Sequence, residues 1–177
     1  MHDPKIAKIV VAIFLSIALL TSVVYAQTDT RVEVETPKTI FIVPFLNVMV
    51  PDTYSTTLFD SFVDQLISFG DQHDIKIRIL KQDIGAVDKE WLGQQFFITG
   101  ETFGYLEDSG CCSTEIEVKA RIYSYRPGSV EPDQEIVVPD DTFFDHDVTT
   151  LEKERVLLAR RMAQELAMKF LSSLVLQ

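Results

Sequence analysis

Thr114-Glu-Ile-Glu-Val-Lys-Ala-Arg-Ile-Tyr-Ser-Tyr125 is the stretch whose reading decides the fold. Its even positions Ile116, Val118, Ala120 and Ile122 are apolar, and its odd positions Glu115, Glu117, Lys119 and Arg121 are charged. Strict alternation over this length places one set of side chains on a core and the other in water, the signature of an antiparallel strand with one wet face. Gln95 to Glu107 is a second β-type run, joined to the first through the turn-rich Asp108-Ser-Gly-Cys-Cys-Ser113. The expected product is a long hairpin. On its first strand the inner set should be Phe96, Ile98, Gly100, Thr102, Gly104 and Leu106, with the two glycines admitting a helix close to the backbone. Same-face pairing then sets Glu101 opposite Lys119 or Arg121, a contact that helps choose register.

Upstream, Ile40-Phe-Ile-Val-Pro-Phe-Leu46 is apolar on both alternating faces and reads as a doubly buried strand, with Pro44 near its end. Asp52 or Thr53 is expected to cap a helix to about Phe69, stopped by Gly70, with the stripe Leu58, Phe62, Leu66 and Phe69. Ile75-Lys-Ile-Arg-Ile79 alternates as a half-buried strand, and 83–92 reads as a helical turn or two closed by Gly93. Downstream, a short strand near Gln134–Val138 precedes an irregular acidic, aromatic stretch from Pro139 to Val148. Thr149 with Glu152 forms a capping-box pattern opening a helix to about Leu174, with Leu158, Met162, Leu166, Phe170 and Leu174 on one stripe. The element order is β-α-β-(α)-β-β-β-α: an α/β chain of two-layer α+β type, a mixed sheet with its two main helices on one face.

The amino terminus is an export address. Lys5 and Lys8 precede an apolar run from Ile9 to Leu20, and Val24-Tyr-Ala26 offers small residues for cleavage before Gln27. Residues 9–26 carry no charge, so a retained inner-membrane anchor is the competing reading. The expected organisation is a signal peptide or anchor over 1–26, a polar tether over 27–38 and a single domain over 39–177. The chain carries a formal net charge of −11, which disfavours nucleic acid and direct adsorption to anionic lipid.

The spacing and content of two phrases, Ile40-Phe-Ile-Val-Pro-Phe-Leu-Asn47 and Leu92-Gly-Gln-Gln-Phe-Phe-Ile-Thr-Gly-Glu101, resemble the TolB amino-terminal-domain family across about residues 39–175. The same fold occurs in the curli secretion channel subunit and in the outer-membrane activator of penicillin-binding proteins. The resemblance implies a non-enzymatic periplasmic module that binds other envelope proteins in assembly, secretion or their regulation. No cofactor is implied. Members at the outer membrane usually carry a lipidated cysteine after the signal, and Val24-Tyr-Ala-Gln27 has none; no direct lipid anchor is expected unless residues 9–26 are retained.

Several residues are candidates for function. Phe97, Glu101, Phe103, Tyr105, Lys119, Arg121, Tyr123 and Tyr125 are expected to share the wet side of the hairpin as a protein-interaction face, because aromatics and arginine carry much of interface energy. The tether or the 139–148 segment could instead cover that face, with Phe143 and Phe144 either cover or patch. Asp141, Asp145, His146 and Asp147 are weak metal candidates, the basis of an alternative reading as a periplasmic small-ligand or calcium-binding protein. Cys111 and Cys112 leave three outcomes open: a vicinal disulfide, an intermolecular bridge or two free thiols. No G-x-S-x-G turn or base–nucleophile pair can be named, so no catalytic residue is assigned.

Overall fold

In the computed structural model, residues 37–82 and 84–175 are described; residues 1–36, and with them the expected export segment, its cleavage site and most of the tether, lie outside the described residues. Among the described residues six strands form one mixed sheet. In chain order these are β1 (Thr39–Ile42), β2 (Leu46–Asn47), β3 (Lys76–Ile79), β4 (Phe97–Ser109), β5 (Ser113–Tyr125) and β6 (Gln134–Asp145). Helix α1 (Asp52–His73) follows β2, the four-residue α2 (Lys89–Leu92) precedes β4, and α3 (Leu151–Val175) closes the described chain. The order across the sheet is β3-β1-β4-β5-β6, with β2 continuing beside β4. β1 pairs in parallel with β3 and β4, whereas β4, β5 and β6 are antiparallel neighbours. This is the two-layer α+β arrangement expected from the sequence.

The sheet's inner face carries Ile40, Ile42, Ile98, Ile116, Val118, Ala120, Ile122 and Val138, all essentially without solvent contact. They meet Leu58, Phe62 and Leu66 of α1 and Leu158, Met162, Leu166 and Phe170 of α3 in one cluster. Each such side chain contributes on the order of 1.5–3 kcal/mol by leaving water. Both helical stripes are therefore where their 3.6-residue spacing put them.

Local differences from the sequence reading have physical causes. The first strand is broken at Val43-Pro-Phe45, because Pro44 has no N–H for the ladder. Phe45 turns onto α1, its ring centroid 5.3 Å from both Phe59 and Phe62. It fits because Gly100 has no side chain: a Cβ there would stand 3.0 Å from Phe45 and 2.7 Å from the Arg121 carbonyl. Gly100 thus admits an aromatic ring and not a helix. The α1 N-cap is Pro51, without a side-chain cap; Asn47 ties down the turn, accepting from Val50 N at 3.1 Å and donating to Val50 O at 3.0 Å. Gly70 lies inside α1, which ends at Asp74 in the left-handed region. A Cβ on Gly70 would meet the Ile75 carbonyl at 2.5 Å, so that glycine serves the return into β3 rather than the stop. Helix α3 starts one residue later than the capping box implies: Thr150 Oγ1 accepts from Lys153 N at 3.4 Å, and Glu152 pairs with Arg155 instead.

Two larger corrections concern the hairpin and its neighbour. Residues 139–145 are not irregular but extend β6 to twelve residues in all, paired with β5 from Ser113–Asp145 to Ser124–Gln134. β6 lies at the sheet edge, where Pro139's missing donor is tolerated. In β4 the register slips by one residue between Phe103 and Leu106, and Gly104 has φ +62°. Only glycine takes that backbone routinely, and the extra residue inverts every later side chain. Leu106, expected inside, is 65% exposed on the outer face opposite Glu117.

Candidate protein-interaction face

The outer face of β4, β5 and β6 is organised around Arg121. Glu101 lies directly opposite it across the β4–β5 pair, and the two form an ion pair. A second carboxylate, Glu135 on β6, approaches Arg121 at 3.5 Å. The guanidinium lies 4.9 Å from the Phe103 ring centroid and 5.5 Å from that of Tyr123. The Glu101 hydrogen bond is the main reason the Arg121 pKa is raised above its ordinary value. A flat cation stacked on one ring and forked onto carboxylates presents its neighbours as a fixed surface. Lys119 stands opposite Phe103 on the same face.

Not all candidates share this surface. Tyr105 is corrected: past the bulge it faces inward, its ring 6.0 Å from that of Tyr54. There Tyr105 donates to Glu107 Oε2 at 2.7 Å, while Arg155 donates to the Tyr105 hydroxyl at 3.0 Å and to Glu107 Oε2 at 2.6 Å. Burial and the Glu107 hydrogen bond push the Tyr105 pKa up to about 12. For Glu107, burial opposes ionisation, but the Tyr105 and Arg155 hydrogen bonds prevail and hold the carboxyl below its ordinary range.

Phe97 is also displaced from the open patch. It stacks on Tyr125 at 4.5 Å and lies buried with Phe41, Val43 and Leu92 in a second small core. Among the described residues, Leu80, Val87 and Leu92 of α2 cover this end of the outer face. Asp88 caps α2 by accepting from Glu90 N at 2.9 Å, and Trp91 packs edge-on to Phe41 at 5.0 Å. The open part therefore comprises Glu101, Phe103, Lys119, Arg121 and Tyr123. Sequence reasoning missed Leu106 and Val137, and left Phe143 unassigned; all three project outward, at 65%, 44% and 66% exposure. The alternation of Ile136 and Val138 with Val137 could have found Val137 and Phe143, had β6 been carried through Pro139.

The four weak metal candidates do not converge. Asp141 and Asp145 lie four residues apart on a strand, about 13 Å at the usual rise. Among the described residues no group of three or more His, Cys, Asp or Glu could hold a metal ion. Residues 139–145 of the expected acidic loop are strand, and His146 and Asp147 lie in the turn that follows. Asp140 instead faces inward and takes a two-pronged contact from Arg161, at 2.8 Å to each oxygen. His146 Nε2 lies 2.8 Å from Thr114 Oγ1, which also lies 3.0 Å from Ser109 Oγ. Thr114 is only 2% exposed, and this chain of contacts ties the hairpin end to β6. Cys111 and Cys112 are exposed free thiols with their sulfurs 3.1 Å apart. The contact with Cys111 raises the Cys112 pKa. No described helix is long and apolar enough to cross a membrane.

No protein-family model matches this sequence, and no curated protein sequence matches it. Solved structures share the fold. The hypothetical protein CT253 from Chlamydia trachomatis aligns with TM-score 0.51 at 11% identity, over 78% of this chain and 98% of that one. The PelC dodecamer from Paraburkholderia phytofirmans aligns with TM-score 0.50 at 10% identity, over 75% of this chain and 89% of its own. Lipoprotein GNA1162 from Neisseria meningitidis aligns with TM-score 0.45 at 13% identity, over 74% and 99%. At these identities the likeness to CT253 and PelC is one of fold.

Proposed function

We infer that this chain is an exported, non-catalytic module of the bacterial envelope, TolB-amino-terminal-like, that binds other envelope proteins through the outer face of β4–β6. The observation that carries the reading is the Arg121 ladder: a guanidinium fixed between Phe103, Tyr123, Glu101 and Glu135, with Leu106, Val137 and Phe143 exposed on the same face. Aromatic and arginine anchors surrounded by charge match the composition of interface centres. Export is supported by the charge and hydropathy pattern of residues 1–26, and solubility outside the cell by the net charge of −11.

Envelope assembly or secretion is the process this module serves. The PelC protein, which has this fold, is a dodecamer, which supports counting a second copy of the chain among the partners. The test is affinity capture from an envelope extract, using wild type and the double variant Phe103→Ser, Tyr123→Ser. Both side chains are partly exposed, and each substitution should cost no more than about 0.5–1 kcal/mol, leaving the protein folded by circular dichroism. Loss of partner recovery is the expected result; undiminished recovery removes the face from the proposal.

A further inference from the structure

The two edges of the sheet differ in sign. β3 forms one edge, and its outward residues are the exposed Lys76 and Arg78, since Arg78 pairs with outward-facing Phe41. Among the described residues no ion pair engages either cation. β6 forms the other edge, and its outward residues include Asp141 and Asp145 on either side of exposed Phe143. Arg161 is committed to the inward Asp140 carboxylate and the Asp141 carbonyl, so it does not neutralise this outward row.

Among the described residues no strand pairs with the free edge of β3. A groove of about 480 Å³ runs along it, lined by Ile67, Gly70 and Asp71 of α1 and by residues 74–78. Open strand edges carry unpaired N–H and C=O groups and are usually blunted by charge, proline or a covering element. Charge alone would keep any two edges apart if both had the same sign. Here the signs are opposite, and the usual protection becomes complementarity.

We propose that a second copy of this chain docks head to tail, the Asp140–Asp145 half of its β6 pairing with β3 and continuing the sheet. β3 and β6 run in the same direction, because each is parallel to β4, so the new pair is parallel. Pro139 splits the β6 edge, and the four residues of β3 fit within the half beyond it. Both the basic and the acidic rows lie on the outer side of the sheet and therefore meet on one face, with Phe143 reaching Arg78 for a cation–π contact. Such a contact is heterologous: repeated, it closes a ring or grows a filament, and it leaves the Arg121 ladder free.

The test is sedimentation of the purified protein over a concentration series, at low and high salt. Wild type should sediment as more than one chain, and high salt should weaken the association, as contacts between exposed charges require. Arg78→Glu and Asp141→Lys should each weaken it at least about tenfold, and the double swap in one chain should restore it. Phe103→Ser with Tyr123→Ser should leave it unchanged, which separates this proposal from the envelope-partner reading. Lys76→Glu repeats the test should either swap disturb folding by circular dichroism. A single-chain mass at every concentration, or assembly indifferent to these swaps, overturns the proposal.

Discussion

Residues 97–103 and 105–109 belong to one strand, yet opposite parities face the core in the two halves. Before Gly104 the inward set is Ile98, Gly100 and Thr102, closing on Ile122 and Ala120 of β5. After it the inward set is Tyr105, Glu107 and Ser109, closing on Ile116 and Thr114. The near half is dry and apolar; the far half is a network of hydroxyls, a carboxylate and Arg155. A single residue with positive φ separates two kinds of stabilisation along the same ladder.

The largest expected effect lies in the near half. Ile122 is 1% exposed in the core, and Ile122→Ala should destabilise by about 2–5 kcal/mol in a denaturant titration. Its neighbour Tyr123 faces out, and Tyr123→Ala should stay within about 0.5–1 kcal/mol. Near-equal effects would mean the two faces of β5 are not distinct in energy.

The joint itself comes next. Gly104→Val forces a β-branched residue into φ +62° and should cost about 1–3 kcal/mol, although a Cβ there meets nothing closer than 3.7 Å. That clearance is for a Cβ, so Gly104→Ala measured beside it should show the backbone strain without a clash. A neutral outcome would show that the slip can be accommodated elsewhere.

These residues also show where sequence reading succeeds. Along β5 the alternation is unbroken, so every inward position from Ile116 to Ile122 was legible, and so were the stripes of α1 and α3. The bulge was not, because the phrase Phe103-Gly-Tyr-Leu106 alternates acceptably in either register. Gly104 was the available sign, and it was read as room for a helix. Tyr105 and Leu106 exchanged faces as a result. The candidate site suffered the same kind of error at β6, where a proline and two aspartates masked an edge strand. That Glu101 faces a cation was legible from charge, with Lys119 and Arg121 both open until the register selects Arg121, while the second core under α2 depended on tertiary packing of a four-residue helix that no periodicity can reveal.

A gain is expected inside the near half. Thr102 is fully buried, and its hydroxyl has no hydrogen-bond partner among the described residues. Thr102→Val keeps the shape and removes that desolvated hydroxyl, and should stabilise by about 1 kcal/mol in the same titration. A loss would point to an ordered water satisfying the hydroxyl in solution.

The smallest effect belongs to the far half and is read through pH. Glu107 has a folded pKa below its ordinary value, so its contribution is present above the unfolded carboxyl pKa of about 4.3 and fades as pH falls through the lower folded value. Tyr105 has the opposite sign: raised from 10.0 to about 12, it contributes below pH 10 and loses that contribution as pH climbs through about 12. The pair is partly exposed, so each limb should amount to under about 1 kcal/mol. Difference curves of stability against pH for wild type and Glu107→Gln should therefore diverge above pH 4 and converge below it. Those for Tyr105→Phe should separate only on the alkaline side. Parallel curves throughout would mean that Arg155 holds the far half by packing of its stem alone, and the contrast between the two halves would then be one of shape rather than charge.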